Sequence, residues 1–230
     1  MPLSKDTNTH AKELAGIAAA KLIQQDMLVG LGTGSTATHF IRALSQRCRD
    51  GLQIRCVATS TGSWDLGNSL GLPMIDIQGI TDVDITVDGA DEIDPAKNMI
   101  KGGGGALLHE KILASMSREM IVVVDEHKLV GRLGNFPLPV EVEPYGFDAT
   151  AERIKRMGFK GKQRTKVSGD KYITDGGHYI IDLDLKEASM SPAQIDSILR
   201  ALPGVIETGF FFGLAGRVIV GNNDGTIEIL

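Results

Sequence analysis

Apolar positions along the chain switch between two periods. Over 9–25, Leu14, Ile17, Ala18 and Leu22 recur at helical spacing, with Lys21 on the same stripe. Residues 27–31 are a short apolar run that leads into GLGTGST, and a second helix is predicted over 35–48, with Phe40, Ile41 and Leu44 on one face. There follow a strand at 54–58, a helix at 63–70 stopped by Gly71, a short strand at 74–77, a strand at 83–87, a helix at 106–117 and an almost wholly apolar strand at 120–124. Strands alternating with helices predict an α/β domain built on a parallel sheet covered on both faces. The runs CVA and MIVVV lack strict polar alternation, as expected of strands buried on both sides.

After Gly134 the pattern changes. PLPVEVEP is proline-bounded and strand-like, 148–157 is helical, and 163–167, 172–174 and 179–185 read as a meander with a tight turn at Asp175-Gly176-Gly177. A helix over 191–202 opens on Ser191 with Pro192 at its first position. This order predicts a small α+β unit at 135–207. The last strands, 218–220 and 227–229, are assigned to the first domain, which then comprises 1–134 plus 208–230.

Composition narrows the function. Lys and Arg total 24 against 29 Asp and Glu, a net charge of −5, which argues against nucleic acid or an anionic membrane as partner. Any bound anion must therefore be met by a local site. The two cysteines, Cys48 and Cys56, have neither metal nor redox spacing and suit a reducing cytosol. MPLSKDTNTH has no apolar core of a secretory signal, and no run approaches the roughly 20 apolar residues of a membrane span.

By position, GLGTGST, DGADE and DEHK each follow the C-terminal end of a predicted strand, and KGGGG opens a helix; ligands of open α/β sheets bind outside those strand ends. GLGTGST offers amides and hydroxyls to an anion at a helix N-terminus. Gly30, Gly32 and Gly34 fall at every second position, which is not the dinucleotide fingerprint, and no Gly-Lys-Ser/Thr follows. The plainer alternative is a turn that lets strand and helix pack. In DITVDGADEID the acids lack calcium-loop spacing. Asp88 and Asp91 flank Gly89-Ala90, so one turn can present both carboxylates to one cleft; alone, they read as solvated turn residues. KGGGGALLHEK sets Lys101 and four glycines ahead of Glu110, one turn into a helix. Four ordered glycines are conformationally costly and imply a close backbone approach, unless the segment is a flexible surface loop. None of His10, His39, His109, His127 and His178 has ligand spacing, and none is given a role. Trp64 and the run 210–212 read as core or domain interface.

Taken in order, GLGTGST (30–36), VDGADE (87–92) and KGGGGALLHEK (101–111), with DEHKLVGRLGNFPLPVEV (125–142), closely resemble ribose-5-phosphate isomerase, type A, over nearly the whole chain. The resemblance implies a Rossmann-like parallel-sheet domain with an inserted ferredoxin-like domain, and a cytoplasmic homodimer or tetramer needing no metal and no cofactor. It implies that ribose 5-phosphate and ribulose 5-phosphate interconvert through a cis-enediolate, a step of the non-oxidative pentose phosphate pathway. Substrate contacts carry over to Thr33, Gly34, Ser35 and Thr36, to Asp88, Gly89, Ala90 and Asp91, to Lys101, Gly102, Gly103 and Gly104, and to Lys128. Glu110 takes the part of carbon base, Asp88 of ring-opening acid–base, Lys101 of enediolate stabiliser, and Asp91 of orienting carboxylate. Lys12 resembles a phosphate-side cation of the family, and contacts from 58–64 (ATSTGSW) are left open. A coenzyme A transferase, with Glu110 as nucleophile, would share the architecture but lacks an obvious nucleotide-sized site. A ligand-sensing regulator would need a DNA-binding unit, and about 26 residues before the first strand are too few for one.

Overall fold

A computed structural model describes residues 8–230; the opening MPLSKDT, part of the stretch expected not to be a secretory signal, lies outside the described residues. In chain order the elements are α1 (Thr9–Lys21), β1 (Leu28–Leu31), α2 (Ser35–Arg49), β2 (Arg55–Ala58), α3 (Thr61–Ser69), β3 (Val83–Asp88), β4 (Glu92–Ile93), β5 (Met99–Ile100), α4 (Leu107–Met116) and β6 (Ser117–Asp125). A 3-10 turn (Glu126–Lys128) leads to β7 (Leu138–Val142), α5 (Phe147–Arg156), β8 (Lys160–Gln163), β9 (Tyr179–Asp184), α6 (Pro192–Arg200), β10 (Val205–Thr208), β11 (Phe210–Phe211), β12 (Ala215–Gly221) and β13 (Ile227–Ile229).

The chain divides into two compact units. The first holds Met1–Ala90, Ile112–Leu129 and Leu214–Leu230. Its described part is a six-stranded sheet in the order β13-β12-β6-β3-β1-β2, parallel except for β13. From β1 the chain passes to β2 on one side and to β3 on the other, so the order reverses between β1 and β3. In open α/β sheets such a reversal is where ligands bind, outside the carboxyl ends of the strands. One face is buried under α1 and α2, with Phe40, Ile41 and Leu44 against Val29, Leu31, Val87 and Ile121. The other face places Leu28, Val57 and Val83 against Leu113 and the partly buried Ile75, Ile77 and Ile80. Gly16 permits the α1–α2 approach, since a Cβ there would lie 2.6 Å from the backbone nitrogen of Phe40.

The second unit holds Asp91–Lys111 and Val130–Gly213. Its four-stranded antiparallel sheet has the order β10-β7-β9-β8, built from a β-α-β-β-α-β run. α5 and α6 bury Phe147, Ile154, Ile195 and Leu199 against Leu138, Val140, Ile181 and Leu183. α6 starts with a capping box between Ser191 and Gln194. A three-stranded sheet, β11-β5-β4, belongs to the same unit. The division differs from one at 135 and 207: β5 pairs with β4 on one side and with β11 on the other, and 91–111 and 208–213 group with the second unit.

Some predicted strands are absent. At 74–77 only Met74 bridges, to Cys56. Of 163–167 only Gln163 is in a strand, as the end of β8, residues 172–174 are not a strand, and a single bridge joins Thr165 to Lys171. Val167 and Ile173 suggested β structure there, but both are exposed, and their intrinsic preference has no packed face to act through. Conversely β8, KGKQ, is polar and weak in β propensity; pairing with β9 makes it a strand.

Candidate active site

In the first unit, β1 delivers Gly32 to the strand crossover. Gly32 must lack a side chain, because a Cβ would lie 2.2 Å from the carboxylate of Asp88 and 2.6 Å from its Cα. This contact lets Asp88, fully buried at the end of β3, accept hydrogen bonds on Oδ1 from the amides of Thr33 (2.9 Å) and Gly89 (2.7 Å). Gly34 then turns the chain at φ +107° into α2. Ser35, Thr36 and Ala37 occupy its first turn, where amide hydrogens lack intrahelical acceptors and the helix dipole favours an anion.

Sequence reasoning left 58–64 open, and here the structure adds a hydroxyl cluster. The Thr33 hydroxyl lies 2.7 Å from that of Thr59 and 2.8 Å from that of Ser60. Ser63 donates to the Gly32 carbonyl at 2.6 Å, and the Ser60 side chain caps α3. The GLGTGST turn is therefore pinned from behind by hydroxyls of the β2–α3 connection. At the end of β6, Lys12 of α1 lies 4.0 Å from the Asp125 carboxylate, and half-buried Lys128 closes the 3-10 turn.

In the second unit, β4 and β5 form a short hairpin whose open end carries Asp91 before β4 and Lys101 after β5. The Asp91 amide donates to the Ile100 carbonyl at 2.8 Å, and the Lys101 amide to the Gly209 carbonyl at 2.9 Å. The glycine run then folds into α4: Gly102 and Gly105 have φ of +103° and +85°, and the Gly105 amide returns to the Gly102 carbonyl. A Cβ on Gly103 would lie 2.6 Å from the Asp91 carboxylate, and one on Gly105 2.2 Å from the Tyr172 hydroxyl. The close approach expected of these glycines is thus satisfied by the chain's own side chains. Asp91 accepts from the Gly103 amide at 2.7 Å. Asp88 accepts from the Thr33 and Gly89 amides and Asp91 from the Gly103 amide.

The Lys101 ammonium lies 3.3 Å from the Glu110 carboxylate, with both side chains 3% exposed. Ten residues of glycine turn and helix start bring the two together. Such a dry carboxylate–ammonium pair can exchange a proton with a substrate carbon and hold an oxyanion beside it. Lys101 also lies 5.4 Å from the Phe211 ring centroid, and Lys111 4.8 Å from it. Lys111 is a cation that sequence reasoning missed. It bonds Glu207 (2.9 Å) and the Thr208 carbonyl (2.8 Å), and burial lowers its pKa against the opposing pull of Glu207. Glu92 is structural: its carboxylate accepts from the amides of Gly134 and Phe136. Among the described residues no group of three or more His, Cys, Asp or Glu side chains is placed to hold a metal ion. No described helix is long and apolar enough to cross a membrane.

Known proteins resemble this chain over nearly its whole length. The sequence profile of ribose 5-phosphate isomerase A (phosphoriboisomerase A) matches residues 55–225. The ribose-5-phosphate isomerase A of Protochlamydia amoebophila is 46% identical over 220 residues, covering 96% of this chain and 95% of the relative. That of Streptococcus agalactiae is 47% identical, covering 95% and 97%. The solved structure of ribose 5-phosphate isomerase A from Methanocaldococcus jannaschii superposes with a TM-score of 0.90 at 36% identity, over 97% of this chain and 99% of that one. A D-ribose-5-phosphate isomerase solved in complex with phospho-erythronic acid gives 0.89 at 38% identity, over 96% and 97%. With the family profile matched over residues 55–225 and relatives 46–47% identical over nearly the whole chain, the chain belongs to the ribose 5-phosphate isomerase A family.

Proposed function

We propose that this protein interconverts D-ribose 5-phosphate and D-ribulose 5-phosphate through a cis-enediolate. The observation that carries the reading is the buried Lys101–Glu110 pair, 3.3 Å apart behind a glycine turn. Glu110 takes the proton from carbon 2, and the C–H electron pair becomes the C1–C2 double bond while the carbonyl oxygen gains negative charge. Lys101 and the glycine-loop amides stabilise that oxygen. Glu110 returns the proton to carbon 1, and the hydroxyl proton passes between the two oxygens by way of Asp88, which also opens the sugar ring. Thr33, Gly34, Ser35 and Thr36 hold the phosphate at the start of α2, where remote binding energy serves to position the open chain. Asp91 orients sugar hydroxyls, Gly89 and Ala90 line the turn, and Lys128 contacts the substrate.

The family resemblance supports a homodimer or tetramer working in the cytoplasm without a metal or other cofactor. Purified, chelator-treated protein incubated with ribose 5-phosphate in deuterated water should form ketopentose phosphate and label the aldose at carbon 2. Absence of both products overturns the proposal.

A further inference from the structure

Behind the glycine turn stands a side chain that no part of the mechanism above uses. Within the second unit, Arg164 follows β8, and its side chain is 13% exposed. Its guanidinium grips the Asp182 carboxylate with two nitrogens, Nε at 2.9 Å. The third nitrogen donates to the carbonyl of Gly102 at 2.7 Å and of Gly103 at 3.2 Å. Tyr172, whose ring lies 5.8 Å from the guanidinium carbon, donates its hydroxyl to the Gly104 carbonyl at 3.0 Å. Three consecutive carbonyls of the loop are therefore held by one arm of the chain.

In a trans peptide the carbonyl of one residue and the amide hydrogen of the next point in opposite directions. Holding the carbonyls of Gly102, Gly103 and Gly104 thus fixes the amides of Gly103, Gly104 and Gly105. The Gly103 amide is directed to Asp91 and that of Gly105 to the Gly102 carbonyl. The Gly104 amide is aimed away from the guanidinium. A cation on the carbonyl also polarises the peptide and strengthens its amide as a donor. Lysine cannot reproduce this fork, because its single nitrogen cannot span a carboxylate and two carbonyls in fixed planes.

We infer that Arg164, held by Asp182 and assisted by Tyr172, is a positioning residue that aims and polarises the Gly103–Gly104 peptide so that the Gly104 amide donates to the enediolate oxygen. The inference rests on the isomerase reading above. Its test compares wild type with Arg164→Met, Arg164→Lys and Tyr172→Phe in kcat, KM and affinity for two probes. Phospho-erythronate carries a carboxylate where the enediolate oxygens would form; inorganic phosphate reports only the anion cradle. Arg164→Met should lower kcat by about 10- to 100-fold, the scale of a misplaced catalytic group. It should weaken phospho-erythronate in step, while KM and phosphate affinity change by less than about threefold, because only transition-state contacts are lost. Arg164→Lys should fall between, and Tyr172→Phe should show the same split on a smaller scale. Equal weakening of both probes, as a merely structural residue would produce, or no change in kcat in a wild type that isomerises normally, overturns the inference alone. A wild type without isomerase activity overturns both readings.

Discussion

Replacing Glu110 by Gln tests the buried pair as chemistry and as a fold element together. The carboxylate lies 3.3 Å from the Lys101 ammonium, and both side chains are almost wholly buried. At an effective dielectric of about 20, Coulomb attraction at that distance is about 5 kcal/mol, much of it offset by the desolvation of two ions. Removing one charge forfeits the attraction and leaves the other ion's desolvation in place, which costs about 3–5 kcal/mol of stability. Gln keeps the volume and an acceptor oxygen, which places it toward the lower end, about 3 kcal/mol. Loss of the base should cost about 100- to 10,000-fold in rate. Replacing both partners with apolar residues, Lys101→Met with Glu110→Leu, should recover most of the stability and none of the activity. Urea unfolding midpoints give the first quantity, and carbon-2 proton exchange with solvent gives the second. A Glu110→Gln protein as stable as wild type, or a double variant no better than the single, would refute the charge-pair argument. Undiminished exchange would reject Glu110 as the base.

Three further outcomes follow from the geometry. Gly32→Ala forces a methyl against the Asp88 backbone, so it should cost about 1–3 kcal/mol of stability and weaken phosphate binding, as read by calorimetry. Ser191→Ala removes the capping box of α6 and should cost about 1 kcal/mol in urea titration with kcat unchanged. Burial raises the Cys56 thiol from 9.0 to about 12, with Cys48 adding to the effect. The folded state therefore keeps a proton that the unfolded state loses. This contribution is complete below pH 9.0 and is lost as pH rises toward about 12, at about 1.4 kcal/mol per pH unit, a slope that Cys56→Ala should flatten.

Period and punctuation in the sequence were enough for most elements of the first unit, although the strand predicted at 74–77 is only a bridge at Met74. Phe40, Ile41 and Leu44 repeat at helical spacing and are buried, and MIVVV is apolar because its strand is buried on both faces; in α1 the helical period held, but the face it buries is Ala11, Ala15, Ala19 and Ala20, with Ile17 exposed. The motif chemistry was legible for a related reason. A glycine run before a carboxylate-bearing helix is costly unless something occupies the space, and Asp91 and Tyr172 do. What local pattern did not carry is the pairing of short segments. Glu92–Ile93, Met99–Ile100 and Phe210–Phe211 are each two residues long, too short to show a period, and become strands because they pair with one another. That pairing sets Asp91 and Lys101 at the open end of one hairpin, and 91–111 group with the second unit. The support of the glycine loop was hidden for the same cause: Arg164 is about 60 residues from Gly103 in the chain, and side chains that distant meet only when loop closure is offset by the packing of β7, β8 and β9. Local preference thus chose the helices, the long strands and the chemical types, while long-range pairing decided which carboxylate faces which amide and which arginine holds the loop.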